Sequence, residues 1–205
     1  ASAELIPAVQ RLLAQAGLQL GQLDAIVFGR GPGSFTGLRT ACAVAQGLGF
    51  GAGVPVLALD TLLAIAEDAH ARTGAAQVVA VLDARMGELY VAAYRRGDAG
   101  WDTVSAPALR NPQDVEVSPG WALAGNGLQL LDASVAPEIP RIAAMPTAPA
   151  LLRLAATALA AGPAQPAAEA LPLYLRDKVA QTTEERAADR ARKDNLGGGP
   201  AAGKR

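Results

Sequence analysis

The spacing of apolar positions changes character along the chain. Leu5, Val9, Leu12, Leu13 and Ala16 recur at helical intervals and predict an amphipathic helix, with Ser2 as its cap and Gly17 as its stop. Pro7 donates no hydrogen bond, so it belongs in the first turn of that helix or at a kink. Leu23 to Phe28 reads as a buried strand that feeds directly into Gly29-Arg30-Gly31-Pro32-Gly33-Ser34-Phe35-Thr36-Gly37. Beyond the glycines, Leu38, Ala41, Cys42, Ala45 and Leu48 mark a second helical stripe, interleaved with the small residues Ala43, Gly47 and Gly49. Pro55 to Leu59 is a short strand, and Asp60 or Thr61 caps a helix running to about Arg72. Strand, glycine loop, helix, strand and helix in that order is α/β syntax.

The second half has a different rhythm. Val78 to Leu82 and Glu88 to Tyr94 are predicted strands of a hairpin, joined by a five-residue link from Asp83 to Gly87. Residues 97–120 are rich in Gly, Pro and Asp and show no clear period. Trp121 to Ala124 reads as a strand entering Gly125-Asn126-Gly127, and a helix is predicted from about Pro149 to Ala161. Leu171 to Arg176 is extended, because a proline biases its predecessor away from helix. Residues 181–205, charged and then Gly-rich, have the composition of a disordered tail.

Composition changes this picture in two ways. Hydrophobic residues make up 51% of the chain but aromatics only 4%, so the core is built from Ala, Leu and Val. Such a core yields less apolar area per residue, and its stability is expected to lean on a partner surface. The formal net charge is −1; residues 184–205 hold six basic and four acidic side chains, leaving 12 and 15 in the rest. That balance argues against a protein that grips nucleic acid unaided, since phosphate affinity comes from clustered Lys and Arg. A single cysteine, Cys42, excludes an intrachain disulfide and fits a reducing, cytoplasmic setting. No apolar run reaches the roughly 20 residues that a membrane-spanning helix needs. The opening at Ala1, without Met, reads as a fragment that starts inside a helix.

Candidate chemistry centres on the glycine loop. A strand feeding glycines and then a helix start can bind phosphate through free amides and the helix dipole. Gly31, Gly33, Ser34, Thr36 and Gly37 are therefore candidate nucleotide or phosphate contacts, although no Lys-Ser or Lys-Thr follows Gly37 as a Walker loop requires. The alternative is a tight turn that needs glycine for its backbone. Ser34 or Thr36 serves as a nucleophile only with a base in reach, and His70 is the one histidine; the N-cap role suits either residue better. One His and one Cys do not make a usual zinc site, and no metal is expected. Asp83, Arg85 and Glu88 read as an ion pair holding a turn rather than as an acid–base pair. Arg39, one turn into the helix after the loop, suits either a partner's salt bridge or a phosphate.

Three segments together resemble a known family. Gly29 to Arg39 followed by Ala45-Gln46-Gly47-Leu48, then Asp83-Ala84-Arg85-Met86-Gly87-Glu88-Leu89-Tyr90, then Pro172 to Ala180, are similar in content and order to the signatures of the TsaB/YeaZ family. The resemblance implies an actin/Hsp70-like (ASKHA) two-lobe fold: residues 1–73 as an N-terminal lobe and 74–180 as a C-terminal lobe. The strands and Asp-Thr-Ser/Thr turn that open family members do not occur in this sequence, so the first lobe is expected to be incomplete.

The implied role is a non-catalytic scaffold that binds and stabilises the catalytic TsaD subunit. With the ATPase TsaE, that assembly transfers a threonylcarbamoyl group to the adenosine beside the tRNA anticodon. No cofactor of the chain's own is implied. ATP or ADP at the interface with partner subunits, a homodimer, and tRNA contact only through the complex all fit the resemblance, as does the absence of a membrane role. It also implies partner contacts from the first two helices, at Leu5, Val9, Leu12, Leu13, Arg39, Ala41, Ala45 and Leu48. On that reading, Ala45→Trp blocks docking without unfolding the chain. A sugar-kinase-like or glycoprotease-like enzyme, or a homodimeric nucleotide-binding module, are the alternatives.

Overall fold

A computed structural model describes residues 2–132 and 134–176. The expected tail at 181–205, and Asp177 to Ala180 of the third family-like segment, lie outside the described residues. Helix α1 (Ser2–Ala16) ends where the glycine predicts. Gly17 takes φ +67°, its amide donates to Ala14 O, and the Leu18 amide reaches back to Leu13 O, the paired bonds of a Schellman stop. Ser2 lies within the helix rather than ahead of it. Pro7 also falls deeper than a first-turn position, and the bond it forfeits is to the carbonyl of Ala3 in the opening turn.

Strand β1 (Ile26–Gly31) starts three residues later than the apolar run suggests, because Leu20–Gln22 coils into a short 3-10 turn. The strand instead continues through Gly29 and Arg30 to Gly31, so a third of the glycine-rich stretch is strand, not loop. Helix α2 (Phe35–Ala52) crosses over to β2 (Val56–Asp60), which pairs parallel with β1. Helix α3 (Thr61–Thr73) follows at once and closes on Gly74 at φ +77°.

The second sheet has five strands: β3 (Gln77–Arg85), β4 (Glu88–Gly97), β5 (Gly100–Arg110), β6 (Ala122–Ala124) and β7 (Arg141–Ile142), in the order β5-β4-β3-β6-β7. The first three run antiparallel, while β6 joins β3, and β7 joins β6, in parallel. The hairpin link between β3 and β4 is two residues, not five. Met86 and Gly87 both take positive φ, the geometry whose twist matches the flanking strands. Strand β5 has no sequence signature because it is an edge strand, mostly exposed, with Pro107 inside it and register shifts against β4. Apolar alternation marks only strands that bury a face.

Side-chain alternation along β3 serves two cores. Val78, Ala80, Leu82 and Ala84 face α3, where they meet Leu62, Ile65, Ala66 and Ala69. Val79 and Val81 face the other way, against Val115, Trp121 and Leu131. The small β1–β2 sheet is also covered on both sides, by α2 through Cys42 and Ala45 and by α4 (Ala148–Ala161) through Ala150 and Leu154. Residues Ala1–Leu175 hold together as one unit that contains both sheets.

Candidate functional site

The glycine loop and α2 form one construction. Ser34 is the N-cap of α2: its Oγ accepts the Gly37 amide at 3.3 Å, and its carbonyl accepts the Leu38 amide at 2.9 Å. Thr36 lies inside the helix, where its carbonyl accepts the Thr40 hydroxyl at 2.9 Å. A side chain at Gly31 (φ +123°) would come within 2.7 Å of Leu173 O, and one at Gly37 within 2.6 Å of Ser34 Oγ. Glycine at both positions is thus accounted for by close approach inside the chain. Gly33 sits beside Leu38 at ordinary contact distance.

The strand end is tied to its surroundings by an ion pair. Arg30 Nε donates to Asp60 Oδ1 at 2.6 Å, which joins the C-terminal ends of the two parallel strands. Tyr94 from β4 lies buried nearby without a hydroxyl partner among the described residues. Burial raises its pKa, the Asp60 carboxylate raises it further, and Arg30 partly opposes both. The C-terminal segment crosses here: the Leu173 amide donates to Arg30 O at 2.7 Å, and Gln46 Nε2 to Ala170 O at 3.2 Å. The first and third family-like segments, more than 120 positions apart in the chain, therefore meet in space.

Helix α2 has two faces with different duties. Leu38, Cys42, Ala45 and Gly49 point inward, Leu38 beside Gly31 and Gly33, and Cys42 and Ala45 onto Phe28, Val56 and Ala167. A side chain at Gly49 would meet Ala167 Cβ at 2.8 Å. Burial pushes the Cys42 thiol pKa up, which suits a small apolar core residue rather than a nucleophile. Ala45, only 3% exposed, belongs to this core, so Ala45→Trp would overpack the interior instead of testing an outer surface. Ala41 is half-buried between the two faces.

The outward face of α2 carries Phe35, Arg39, Ala43, Gly47 and Phe50, spaced by four, four, four and three. Phe50 is 66% exposed, and a side chain built at Gly47 meets nothing within 4 Å. Glycine inside a helix costs about 1 kcal/mol relative to alanine, and no contact among the described residues explains it at Gly47. The stripe was legible in the sequence as a second i, i+4 series, but the apolar series beside it draws the eye first.

Helix α1 is the other exposed element. None of its described side chains is buried, and Leu12 is 65% exposed. Leu5 and Ile6 lie open at its start, while Val9, Leu12 and Leu13 line an apolar groove of about 410 Å³ with Leu48, Ile26 and Leu151. Four of the residues expected to contact a partner thus surround one open groove.

The remaining polar groups hold the fold. His70 Nδ1 donates to Ala75 O at 3.0 Å, with its ring edge-on to Trp101. Asp83 accepts both the Arg85 amide at 2.7 Å and the Arg85 guanidinium at 3.2 Å, the ion-paired turn that the sequence suggests. Glu67 has no sequence signature, yet it is 3% exposed and accepts from Arg153 Nε at 2.7 Å, Trp101 Nε1 at 2.8 Å and Arg96 Nη1 at 3.1 Å. It ties α3, α4 and the β4–β5 hairpin together. Among the described residues no group of three or more His, Cys, Asp and Glu gathers as a metal site, and no helix is long and apolar enough to cross a membrane.

A parallel β–α–β unit beside a mixed five-stranded sheet is the architecture of an actin/Hsp70-like α/β protein. Residues 2–184 match the family model described as TsaD, tRNA N6-adenosine threonylcarbamoyltransferase. The tRNA threonylcarbamoyladenosine biosynthesis protein TsaB of Escherichia coli is 35% identical, over 86% of this chain and 80% of that protein. The Haemophilus influenzae protein of the same name is 36% identical, over 85% and 79%. Among solved structures, YeaZ from Pseudomonas aeruginosa superposes with a TM-score of 0.77 at 38% identity, covering 85% of this chain and 84% of that one. A second P. aeruginosa structure, described as an uncharacterized protein with similarity to peptidase YeaZ, gives 0.77 at 39%, covering 85% and 83%. The chain belongs to the TsaB/YeaZ family.

Proposed function

We propose that this chain is a non-catalytic scaffold in the biosynthesis of threonylcarbamoyladenosine in tRNA, docking a TsaD-type catalytic subunit through the outer faces of α1 and α2. The observation that carries this reading is the pair of unpartnered helix faces. Among the described residues the apolar stripe of α1 has no fully buried side chain, with Leu12 65% exposed, and α2 exposes Gly47 with nothing beside it. Both features gain a purpose when a second helix packs closely against them. The names of the relatives supply the pathway.

A TsaE-type ATPase and tRNA join through the complex, in the cytoplasm, and ATP or ADP would sit between subunits rather than in this chain alone. The peptidase wording attached to one structural neighbour finds little support here. Ser34 Oγ is engaged as a helix cap, and His70 donates to a backbone carbonyl. Proteolysis by serine needs those two groups aimed at each other.

The test is sedimentation of the purified chain with its cognate TsaD-type subunit, with Gly47→Leu as the control for the docking face. A stoichiometric complex that Gly47→Leu abolishes supports the reading. No complex at all, or a chain that pairs only with itself, would sink it.

A further inference from the structure

Where the first and third family-like segments meet, three exposed side chains form a cluster. The Arg39 guanidinium carbon lies 3.8 Å from the centroid of the Phe35 ring. Tyr174 packs on the same ring at 5.6 Å between centroids, with 33° between planes. Arg39 Nε donates to the Tyr174 hydroxyl at 3.1 Å. Phe35 is nevertheless 37% exposed and Tyr174 45%. Among the described residues, Arg39 has no acidic partner, whereas Arg30, Arg72, Arg85, Arg96 and Arg153 all have one.

The clamp uses one face of the guanidinium and its Nε–H. What is left is the planar fork of the two Nη groups, which matches a carboxylate or phosphate through two parallel hydrogen bonds. Holding the side chain in place beforehand reduces the ordering cost of binding. The Phe35 ring covers one face of the guanidinium, and its low dielectric strengthens a charged hydrogen bond made by the fork beside it. A surface that reads phosphate backbones gathers several cations, whereas what the structure sets against Arg39 is aromatic, the face of the Phe35 ring and the Tyr174 hydroxyl. One arginine among aromatics is instead the composition of an energetic hot spot at a protein interface. Its place on α2, at the head of the stripe that contains Gly47, puts it on the docking face.

We propose that Arg39, clamped by Phe35 and Tyr174, is a pre-formed anchor for one carboxylate side chain of the partner subunit. This rests on the reading that α2 docks that subunit, and the two fail differently. The experiment is calorimetric titration of the full chain with its cognate catalytic subunit, for wild type, Arg39→Met, Arg39→Lys and Tyr174→Phe. All three substitutions lie at the surface, and thermal unfolding of each variant checks that the fold is intact.

Arg39→Met is expected to weaken binding about 30-fold, as loss of a hot spot does. Arg39→Lys should weaken it about tenfold, because the charge survives but the fork does not. Tyr174→Phe, which removes only the hydroxyl that orients the fork, should cost a few-fold. A double-mutant cycle against Asp→Ala and Glu→Ala variants of the partner should find one acid coupled to Arg39.

Wild-type binding with both Arg39 variants within about twofold overturns the anchor and leaves the docking face standing. Failure to find any coupled acid overturns it too. So does an Arg39→Met variant that keeps its affinity for the subunit but loses affinity for tRNA, which would make the group a phosphate contact. If the wild-type chain does not bind the subunit, the docking reading itself fails and the anchor goes with it.

Discussion

Helices α1 and α3 are similar in length and both carry apolar positions at helical spacing, yet they do opposite things. Helix α3 buries seven of its thirteen residues, including Leu62, Ile65 and Glu67, between the five-stranded sheet and α4. Helix α1 buries none of its described side chains. The comparison separates two uses of the same pattern. On α3 the apolar stripe stabilises the fold, while on α1 it is surface that the described residues leave half-buried or open. Helix α2 combines both, with a core face of Leu38, Cys42, Ala45 and Gly49 and an open face from Phe35 to Phe50.

The sharpest break of this contrast places the same chemistry on each helix. Ile65→Asp buries a carboxylate with no partner in the α3 core, and is expected to cost about 4 kcal/mol or more. Far-ultraviolet circular dichroism should find it largely unfolded, and a folded variant would mean that the α3 interface is looser than its packing implies. Ala45→Trp tests the inner face of α2. Overpacking there should cost about 1–3 kcal/mol in urea denaturation, and an unchanged midpoint would place Ala45 outside the core.

The outer faces call for opposite signs. Gly47→Ala adds a methyl group in open space and removes the helix penalty of glycine, so the isolated chain should gain about 1 kcal/mol while its affinity for the partner falls. A stabilised chain that binds as well as wild type would remove the reason given for Gly47. The smallest effect on stability belongs to α1. Leu12→Asp, at a site already open to water, should move the folding free energy by no more than about 0.5 kcal/mol, yet it should weaken assembly with the partner. A large loss of stability from this variant would show that the helix is part of the core after all.

Much of this was readable in the chain before any coordinates. The stop at Gly17, a cap at Ser34 or Thr36, and the Asp83–Arg85 turn follow from local rules, because each depends on residues within a few positions of one another. Strand β5 was not readable, since an exposed edge strand leaves no apolar period. Nor was Glu67, whose three partners lie 29 to 86 positions away.

The candidate site divides in the same way. Apolar spacing by itself determined that α1 and α2 are amphipathic and that small residues line α2. Only the tertiary structure decided which side of α2 is core, which turns Ala45 inward and leaves Gly47 out. The glycines at 31 and 37 suited either a phosphate loop or a tight turn; in the fold Gly31 takes φ +123°, and Leu173 and Ser34 come too close to positions 31 and 37 for a side chain. Arg39 was a lone cation near a loop until Tyr174, 135 positions along the chain, was brought beside it. Helical period depends on neighbours in sequence and survives without the fold. Which face is covered, and what stands next to an arginine, depends on segments that meet only when the chain is packed.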